Sequence, residues 1–419
     1  MSQAGPDKIP GAGGARDAEA GPRVPVGDER LMTPAFLGIS ISVLAFFVAG
    51  GMFLPATPRF TAGPLGGDNL AVGLVVGSFS VSSLLLRPFA GRWADQRGRR
   101  IMLISGAAIQ VLAAAGHLVA DSVALLVAMR LLLGAAEAVF FVGGMAAATD
   151  LAPESRRGEA VSLISTSLYL GVAIGPVLAE WLFANSGYAA IWIVATVISV
   201  AAVAISWFAP ETLPPAARRP PGDGGSLIHR RGIVPGLLVL CGAWGMGAYF
   251  AFLPLLGDDL GLDGVGGYLA VFALVVIGLR IVGARLPDRF GAARLSGTAL
   301  VLSASGMTIA GLFPTEIGLW VATVVFAAGV AFTSPAIVAL AVMGVPADER
   351  GAVVGTTSVF LDVSFGLSPA LLGLLAVSTG YPPTFLVSGV IAAIGAAFLL
   401  LRGGSLARQG PASSNVAPS

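Results

Sequence analysis

The chain is poor in charge, in cysteine and in lysine. Only 11% of its 419 residues are Asp, Glu, Lys or Arg, whereas a soluble domain carries about 25%. Cys241 is the only cysteine and lies in an apolar stretch, so neither a disulfide framework nor a cysteine metal site is expected. Lys8 is the only lysine and lies in a polar tail. No G-x-x-x-x-G-K-[ST] phosphate loop therefore occurs, and ATP hydrolysis by this chain is excluded.

Nucleic-acid binding and enzymatic chemistry are also disfavoured by what is missing. The net charge is only +1 and the arginines are spread over short loops, so no basic patch forms. Neither H-E-x-x-H nor G-x-S-x-G occurs, which leaves an intramembrane enzyme without a recognisable metal site or nucleophile. No polar piece is long enough to fold as a receptor domain. We therefore expect no cofactor, no metal and no nucleic-acid partner.

Long apolar runs take up most of the chain. Hydrophobic residues make up 56% of the sequence and the mean hydropathy is +0.87. The runs are about 20 residues long, which is the length that spans a bilayer. Broken at charges and at Gly/Pro clusters, they predict twelve transmembrane helices. The predicted spans are residues 34–54, 70–90, 101–119, 122–149, 158–184, 187–209, 233–256, 264–286, 294–313, 315–343, 351–378 and 380–402.

The spans fall into two groups of six, separated by a polar connection. The sequence predicts an all-α membrane protein with an N-terminal bundle at residues 33–209 and a C-terminal bundle at 233–402. A linker at 210–232 joins them. The tails at 1–32 and 403–419 are polar and rich in small residues, so we expect both to be disordered.

The distribution of arginine predicts how the helices cross the membrane. Cytoplasmic loops of membrane proteins carry the excess of Lys and Arg. Alternate loops of this chain are rich in arginine, and the intervening loops contain one, Arg59. Both termini and the linker are then cytoplasmic, as an even number of spans requires. We expect a multi-pass protein of the plasma membrane, which is the inner membrane of a bacterium with two membranes.

The two groups of spans are related by an internal repeat of 193 residues. The segments 53–55 and 252–254 also match, at an offset of 199, which implies a first outer loop six residues longer. Two unrelated halves would not keep this register, so the halves are parallel repeats of six spans. The pairs at the 193 offset include Arg87 and Arg280, Arg92 and Arg285, Asp95 and Asp288, Gly98 and Gly291, and Pro176 and Pro369.

The loop after the second span resembles the signature of the major facilitator superfamily. Its run G-R-W-A-D-Q-R-G-R-R, from Gly91 to Arg100, is similar to G-x-x-x-D-[RK]-x-G-R-[RK], with Gln96 where a basic residue is usual. The resemblance implies that Asp95 contacts the start of the eleventh helix, and that Asp288 makes the equivalent contact with the fifth. Such contacts would close the cytoplasmic side. The predicted gating residues are Gly91, Asp95, Arg97, Gly98, Arg99, Asp288, Arg289 and Gly291.

Two further motifs extend the resemblance. Arg130 with Gly134 resembles the family's helix-4 motif, and Gly171, Gly175 and Pro176 resemble the helix-5 motif of its proton-driven efflux members. The resemblance covers the whole membrane portion. It implies the family's fold, with twelve helices in two pseudo-symmetric six-helix bundles and a substrate site between them.

Arg130, Glu137, Glu180 and Asp362 fall inside predicted spans and away from their cytoplasmic ends, where charges are costly and usually functional. Arg130 and Glu137 share one helix face with Gly134 and lie about 10 Å apart along the axis. Asp362 lies near the bilayer centre, and Glu180 is closer to the outer surface. We predict that they form a substrate and proton pathway. The alternatives are a structural bridge to a neighbouring helix for the first pair, bonds to Ser or Thr hydroxyls for Asp362 and an interfacial position for Glu180.

Aromatic side chains and two further arginines complete the candidate site. Aromatic residues of the first and seventh spans predict a wall for an apolar or aromatic substrate, and packing against helices or lipid is the alternative. Arg87 and Arg280 lie near the cytoplasmic ends of their spans, so we expect them to anchor helices at the interface or to bond loop carbonyls, and not to bind a ligand. The predicted wall comprises Phe46, Phe47, Phe53, Trp244, Tyr249 and Phe250.

These features favour a secondary transporter that acts without ATP. Our leading hypothesis is proton-coupled export of a small lipophilic molecule by alternating access, in which protonation of Glu137 or Asp362 competes with substrate release. The alternative is a proton-coupled importer of a small metabolite, because a fold does not determine the direction of transport. The expected partners are a small-molecule substrate, protons and the lipid bilayer, and we expect a monomer.

Overall fold

The computed structural model describes residue 1 and residues 31–153, 156–213, 229–283, 290–346 and 349–407. All regular secondary structure in these ranges is helical, and a short 3-10 turn at His117–Val119 follows the third helix. The α-helices are α1 (Pro34–Ala62), α2 (Asn69–Arg97), α3 (Arg99–Gly116), α4 (Val123–Leu151), α5 (Arg157–Trp207), α6 (Arg230–Asp259), α7 (Gly266–Val282), α8 (Ala292–Leu312), α9 (Glu316–Val342), α10 (Arg350–Thr379) and α11 (Pro382–Ala407).

Several helices begin where a short polar side chain caps the first turn. Thr33, Asp68, Ser122 and Thr315 precede α1, α2, α4 and α9, and each accepts a hydrogen bond from the backbone N–H three residues on. The bond satisfies one of the amides that the first turn leaves unpaired. The loops between spans therefore contain the signals that start the next helix.

The predicted all-α membrane architecture is confirmed. Ten of the described helices are long and apolar enough to cross a membrane, and α7 is a shorter apolar helix. The segment α5 contains both the fifth and the sixth predicted spans, as two helices that meet at a kink. Gly187 interrupts it with φ 74° and ψ −171°, a conformation that glycine adopts at little cost.

Several helices run further than the hydropathy pattern predicts, and α1 continues to Ala62 past its predicted end at residue 54. The second span was expected to end at residue 90, but α2 continues to Arg97 and the chain turns at Gly98, where φ is +103°. Asp95 therefore lies in the last turn of a helix and not in a loop, because polar residues can continue a helix beyond the apolar stretch. In the same way α11 continues to Ala407, past its predicted end at residue 402.

The helices form two packed groups, α1 to α5 and α6 to α11. In the first group α1 lies close to α5, where Gly51 faces Gly171 and Gly175; a Cβ on any of the three would press on the backbone of the other helix. Small residues allow this close approach of two membrane helices. The helix-5 motif is thus a packing contact within the first group. The bundle boundaries at 33–209 and 233–402 stay predictions.

The two groups meet mainly along two pairs of helices, α2 with α10 and α5 with α7, and α6 also contacts α1 and α2. Gly73 of α2 lies against the backbone of Pro369, and Gly266 of α7 lies against Glu180 and the carbonyl of Pro176. Since Gly73 and Gly266 are 193 residues apart, as are the two prolines, the repeat relates the two contacts. Both lie toward the helix ends that are predicted to face outside, and a cavity lies deeper between the groups.

Candidate substrate cavity

A cavity of about 370 Å³ lies between the two groups of helices. Small-molecule sites range over roughly 300–1,000 Å³ and are mostly apolar with a few polar groups. Eight phenylalanines from both groups line the cavity, including the predicted wall residues Phe46, Phe47, Phe53 and Phe250; the others are Phe79, Phe141, Phe272 and Phe365. Five charged residues also line it: Arg87, Arg130, Glu137, Arg280 and Asp362. The walls suit an apolar molecule, and the charges supply specific contacts.

Three of the charged residues form one ion-pair network, which we name the cavity cluster: Arg87 of α2, Glu137 of α4 and Asp362 of α10. One nitrogen, Arg87 Nη2, lies 3.1 Å from Glu137 Oε1 and 3.3 Å from Asp362 Oδ1. The hydroxyl of Ser83 donates to Glu137 Oε2 at 2.5 Å. Both acid side chains are only about a tenth exposed. Because Glu137 and Asp362 belong to different groups, Arg87 links the two groups across the cavity.

One carboxylate oxygen of the cavity cluster has no hydrogen-bond partner among the described residues. Within the described residues, Asp362 Oδ2 is buried and accepts no hydrogen bond. Buried polar atoms are normally paired, and an unpaired one calls for an explanation such as a proton or a ligand. The Ser or Thr hydroxyl bonds considered for Asp362 are not its contacts, and its described partner is Arg87. Asp362 is therefore the acid of the cluster with an oxygen that has no hydrogen-bond partner in the described part of the chain.

Arg130 lines the cavity without a carboxylate partner among the described residues. Its Nε donates to the carbonyl of Val75 at 3.3 Å and its Nη2 to that of Val76 at 3.4 Å. Its guanidinium carbon lies 5.0 Å from the centre of the Phe79 ring, within the range of a cation–π contact. Arg130 and Glu137 both face the cavity, as their shared helix face predicts, and they do not pair with each other.

The assignment of Arg87 and Arg280 to the membrane interface was wrong. Arg87 pairs with two acids inside the membrane. Arg280 donates from Nε to the carbonyl of Ala331 in α9 at 3.1 Å, and its guanidinium carbon lies 4.2 Å from the centre of the Tyr169 ring. Position along a helix indicated the interface, but the side chains turn into the cavity because basic groups find partners there.

A second network, the rim cluster, joins the helix ends predicted to face outside. It comprises Arg59 of α1, Glu180 of α5 and Asp258 of α6. Arg59 Nη1 lies 2.6 Å from Glu180 Oε1, and Arg59 Nη2 and Nε contact the two oxygens of Asp258 at 2.7 and 2.8 Å. Arg59 and Asp258 are 199 residues apart, the offset at which the ends of the first and seventh spans match. Glu180 therefore lies outside the cavity, in a contact that closes the space between the groups.

Two predicted wall residues lie behind the cavity wall. Tyr249 is buried, shares a hydrogen bond of 2.8 Å with the hydroxyl of Thr323 and stacks on Phe272. Trp244 is 8% exposed, and neither it nor Tyr249 is among the described residues that line the cavity. Phe250, beside Tyr249 in sequence, does line it. Neighbouring helical residues point in different directions, so the rotation of α6 about its axis decides which aromatics face the site.

The structure describes some of the predicted gating residues and not others. Asp95 pairs with Arg99 at 2.9 Å, and Arg99 also pairs with Asp150 at 3.2 Å. These contacts all lie within the first group of helices, and the expected contact of Asp95 with the start of the eleventh predicted span stays a prediction. Gly98 and Gly291 both have positive φ, at +103° and +81°, just before α3 and α8. Asp288 and Arg289 lie outside the described residues.

The remaining signature residues are in the helical end of α2. Gly91 lies in the helix and has no atom within 4 Å of a Cβ added there. The guanidinium of Arg97 lies 5.9 Å from the centre of the Trp93 ring. These residues make local contacts within α2 in this structure, and their role as a gate stays a prediction.

Sequence reasoning missed Arg59, Arg87 and Tyr169 as parts of the two networks and of the cavity wall. The signals were available in part. Arg87 belongs to the 193-residue repeat, and Arg59 is the one arginine in the loops predicted to be outside. Tyr169 lies at the 193-residue offset from Asp362, but its importance depends on the arginine that packs against it from the other group.

Comparisons with known proteins agree with this architecture. A family model described as Major Facilitator Superfamily matches residues 39–360 and 269–418. An uncharacterized MFS-type transporter of Salmonella typhimurium is 28% identical over 390 residues, covering 88% of this chain and 99% of the relative. The fold is similar to that of a bacterial homologue of the human lysosomal transporter Spinster, with a TM-score of 0.75, 15% identity and coverage of 90% and 98%. It is also similar to the human organic anion transporter MFSD10, with a TM-score of 0.66, 19% identity and coverage of 89% and 99%. This multi-pass membrane chain belongs to the major facilitator superfamily.

Proposed function

We propose that this chain is a proton-coupled exporter of small lipophilic molecules, such as drugs or secondary metabolites, and that it works by alternating access. The observation that supports the proposal most is the cavity cluster, in which Arg87 contacts Glu137 of its own group and Asp362 of the other. Ionisable residues inside a membrane are rare and commonly belong to proton or substrate pathways. An ion pair that spans the two moving groups connects a proton to their movement.

The coupling follows from the charges of the cluster. When Asp362 is ionised, it attracts Arg87 and ties α10 to α2. When Asp362 takes up a proton, that attraction is lost while Glu137 keeps Arg87 in the first group. The two groups then lose the ion pair that joins them at the cavity, deeper between the groups than the rim cluster. This loss favours the rocking motion of repeat transporters. Proton binding and the change of access are thereby coupled.

The proposed direction and placement rest on sequence features. The helix-5 motif resembles that of proton-driven efflux members, and the cavity walls are largely apolar. We place the protein in the plasma membrane with both termini cytoplasmic, since alternate loops are rich in arginine. We also propose that the monomer is sufficient, because one chain supplies the whole cavity.

Transport into everted membrane vesicles tests the proposal. Energised vesicles should accumulate at least one member of a panel of hydrophobic cations, neutral compounds and anions, and collapse of the pH gradient should stop accumulation. Asp362→Asn and Glu137→Gln remove one acid each, and at least one of them should abolish gradient-driven uptake. Asp259→Asn is the matched control, because Asp259 is exposed at the end of α6.

The opposite result identifies the alternative function. If everted vesicles accumulate nothing and right-side-out vesicles take up a metabolite under the same gradient, the chain is an importer and the export proposal is wrong. If Asp362→Asn, Glu137→Gln and Asp259→Asn all transport like the native chain, the cavity cluster does not couple protons.

A further inference from the structure

The two repeats place one arginine each on the cavity, but they surround the two arginines differently. Arg87 and Arg280 are 193 residues apart and both line the cavity. The partners of Arg87 are the acids Glu137 and Asp362. At the same offset, the position equivalent to Glu137 is occupied by Val330 and the position equivalent to Asp362 by Tyr169. The positions equivalent to the two acids that pair with Arg87 are thus occupied by an apolar side chain and an aromatic ring.

The contacts of Arg280 leave most of its donors available. A guanidinium has five N–H donors. The described contacts of Arg280 use Nε alone, which donates to the carbonyl of Ala331. The flat guanidinium lies against the Tyr169 ring at 4.2 Å, a distance at which the ring holds the cation by a cation–π contact. The two Nη groups have no acceptor among the described residues, and the side chain is partly exposed in the cavity.

The charges that line the cavity also favour an anion. Three guanidinium groups and two carboxylates line it, so its net charge is +1 with both acids ionised and +2 when one acid is protonated. Both carboxylates are already paired with Arg87. Charges interact strongly in a low-dielectric interior. The cavity therefore repels an organic cation and stabilises an anion.

We propose that Arg280 is the anion-binding residue of the cavity and that the substrates are amphiphilic organic anions. The two Nη groups would bind a carboxylate or sulfonate headgroup in the bidentate geometry that a guanidinium favours. The apolar body of the molecule would lie against Phe250, Phe272 and Phe365 on the same wall. This inference rests on the proposed function, because it takes the cavity as the substrate site.

Binding of three related probes to the purified full chain tests this inference. The probes are naphthalene-1-sulfonate, neutral 1-naphthol and 1-naphthylmethylammonium, titrated calorimetrically into protein in zwitterionic lipid nanodiscs with empty nanodiscs as the blank. The native chain should bind the sulfonate at least about tenfold more tightly than the ammonium compound, as one charge-assisted contact predicts. Arg280→Gln should remove this preference and leave the affinity for 1-naphthol within about twofold. Arg294→Gln, at an exposed arginine of α8, is the matched control.

A second pair of variants tests the same idea without removing the arginine. Tyr169→Asp places a carboxylate where the repeat has Asp362, so it should neutralise Arg280 and weaken sulfonate binding about tenfold or more. Tyr169→Phe keeps a ring and should keep the preference for the anion. Comparison of these two variants tests the anion site at Arg280 even if Arg280→Gln fails to fold.

The outcomes separate this inference from the transport proposal. Tighter binding of the ammonium probe, equal binding of all three probes, or unchanged sulfonate binding in both Arg280→Gln and Tyr169→Asp would overturn the anion site, and the vesicle results would still stand. An anion preference that depends on Arg280 supports it, even if the vesicle assay shows uptake in place of export.

Discussion

The cavity cluster and the rim cluster contain the same chemistry in two different settings. Each consists of one arginine and two carboxylates, and each joins the two groups of helices. In the rim cluster, Arg59 contacts both oxygens of Asp258 and one of Glu180 at 2.6 to 2.8 Å. In the cavity cluster, a single nitrogen of Arg87 serves both acids at 3.1 and 3.3 Å. All three guanidinium nitrogens of Arg59 are thus paired with carboxylates, whereas, among the described residues, only one nitrogen of Arg87 is.

This difference indicates two roles for similar ion pairs. A fully paired arginine with a bidentate carboxylate holds one geometry, which suits a contact that keeps the outer ends of the helices together. A cluster with longer contacts and a free oxygen on Asp362 can exchange partners at low cost, which suits a site that takes up and releases a proton. Exposure differs as well, since Asp258 is 48% exposed and Asp362 only 9%.

The largest effect is expected when the cavity cluster loses its cation. Arg87→Gln leaves Glu137 and Asp362 without a positive partner inside the membrane, and removal of one partner of a buried ion pair costs roughly 3–5 kcal/mol. Gradient-driven transport in everted vesicles should fall about 100-fold or more. Arg92→Gln changes an exposed arginine of the same helix and should transport normally. A transport rate above about one third of native in Arg87→Gln would show that the cluster is dispensable.

The sequence predicted the membrane architecture because hydropathy and the repeat are properties of the chain itself. Ten of the described helices are apolar and long enough to cross a membrane, and the boundary between the fifth and sixth predicted spans falls at Gly187, where α5 is interrupted. The depth of each charged residue in the membrane was also predictable, because it follows from the position of the residue along its helix. Arg130, Glu137 and Asp362 accordingly all line the cavity.

The partners of these residues could not be predicted in the same way. Arg87 contacts Asp362 only because α2 packs against α10, which belongs to the second repeat. Trp244 and Tyr249 are turned away from the cavity because of the rotation of α6, and the apolar pattern of that helix is too uniform to define a face. Pairing across the two groups depends on contacts between distant parts of the chain, which one sequence does not specify.

The next largest effect is expected at the rim cluster. Arg59→Gln removes the contact that joins α1, α5 and α6, so the outer ends of the two groups should separate more often. A cysteine placed at Leu54, which lines the cavity near the outer end of α1, reports this opening in a Cys241→Ser chain. A membrane-impermeant maleimide added outside should label it about tenfold faster, which corresponds to a loss of about 1.4 kcal/mol in closure. Arg294→Gln, at an exposed arginine of α8 near the opposite end of the membrane, is the control, and equal labelling in all chains would refute the closing role.

A smaller effect should separate the two acids of the rim cluster. Glu180 is 15% exposed and Asp258 is 48% exposed, and exposed ion pairs contribute little because water and salt screen them. Glu180→Gln should increase labelling at Leu54→Cys about fivefold and Asp258→Asn about twofold. At roughly 1 M salt the Asp258→Asn effect should disappear and the Glu180→Gln effect should remain. The reverse order of the two variants would mean that the bidentate contact outweighs burial.

The smallest effect concerns two glycines that the repeat relates, Gly73 and Gly266. A Cβ at Gly73 would meet the backbone of Pro369, whereas a Cβ at the equivalent Gly266 would meet the side chain of Glu180 from the rim cluster. A side chain can move more easily than a helix backbone, and overpacking costs about 1–3 kcal/mol. Gly73→Ala should therefore lower the melting temperature by about 3–6 °C and Gly266→Ala by about 1–2 °C. Gly278→Ala, with nothing within 4 Å of the added Cβ, should melt like the native chain. A loss at Gly266 equal to that at Gly73 would mean that Glu180 is held too firmly by Arg59 to move, which would make the rim cluster as rigid as the backbone around it.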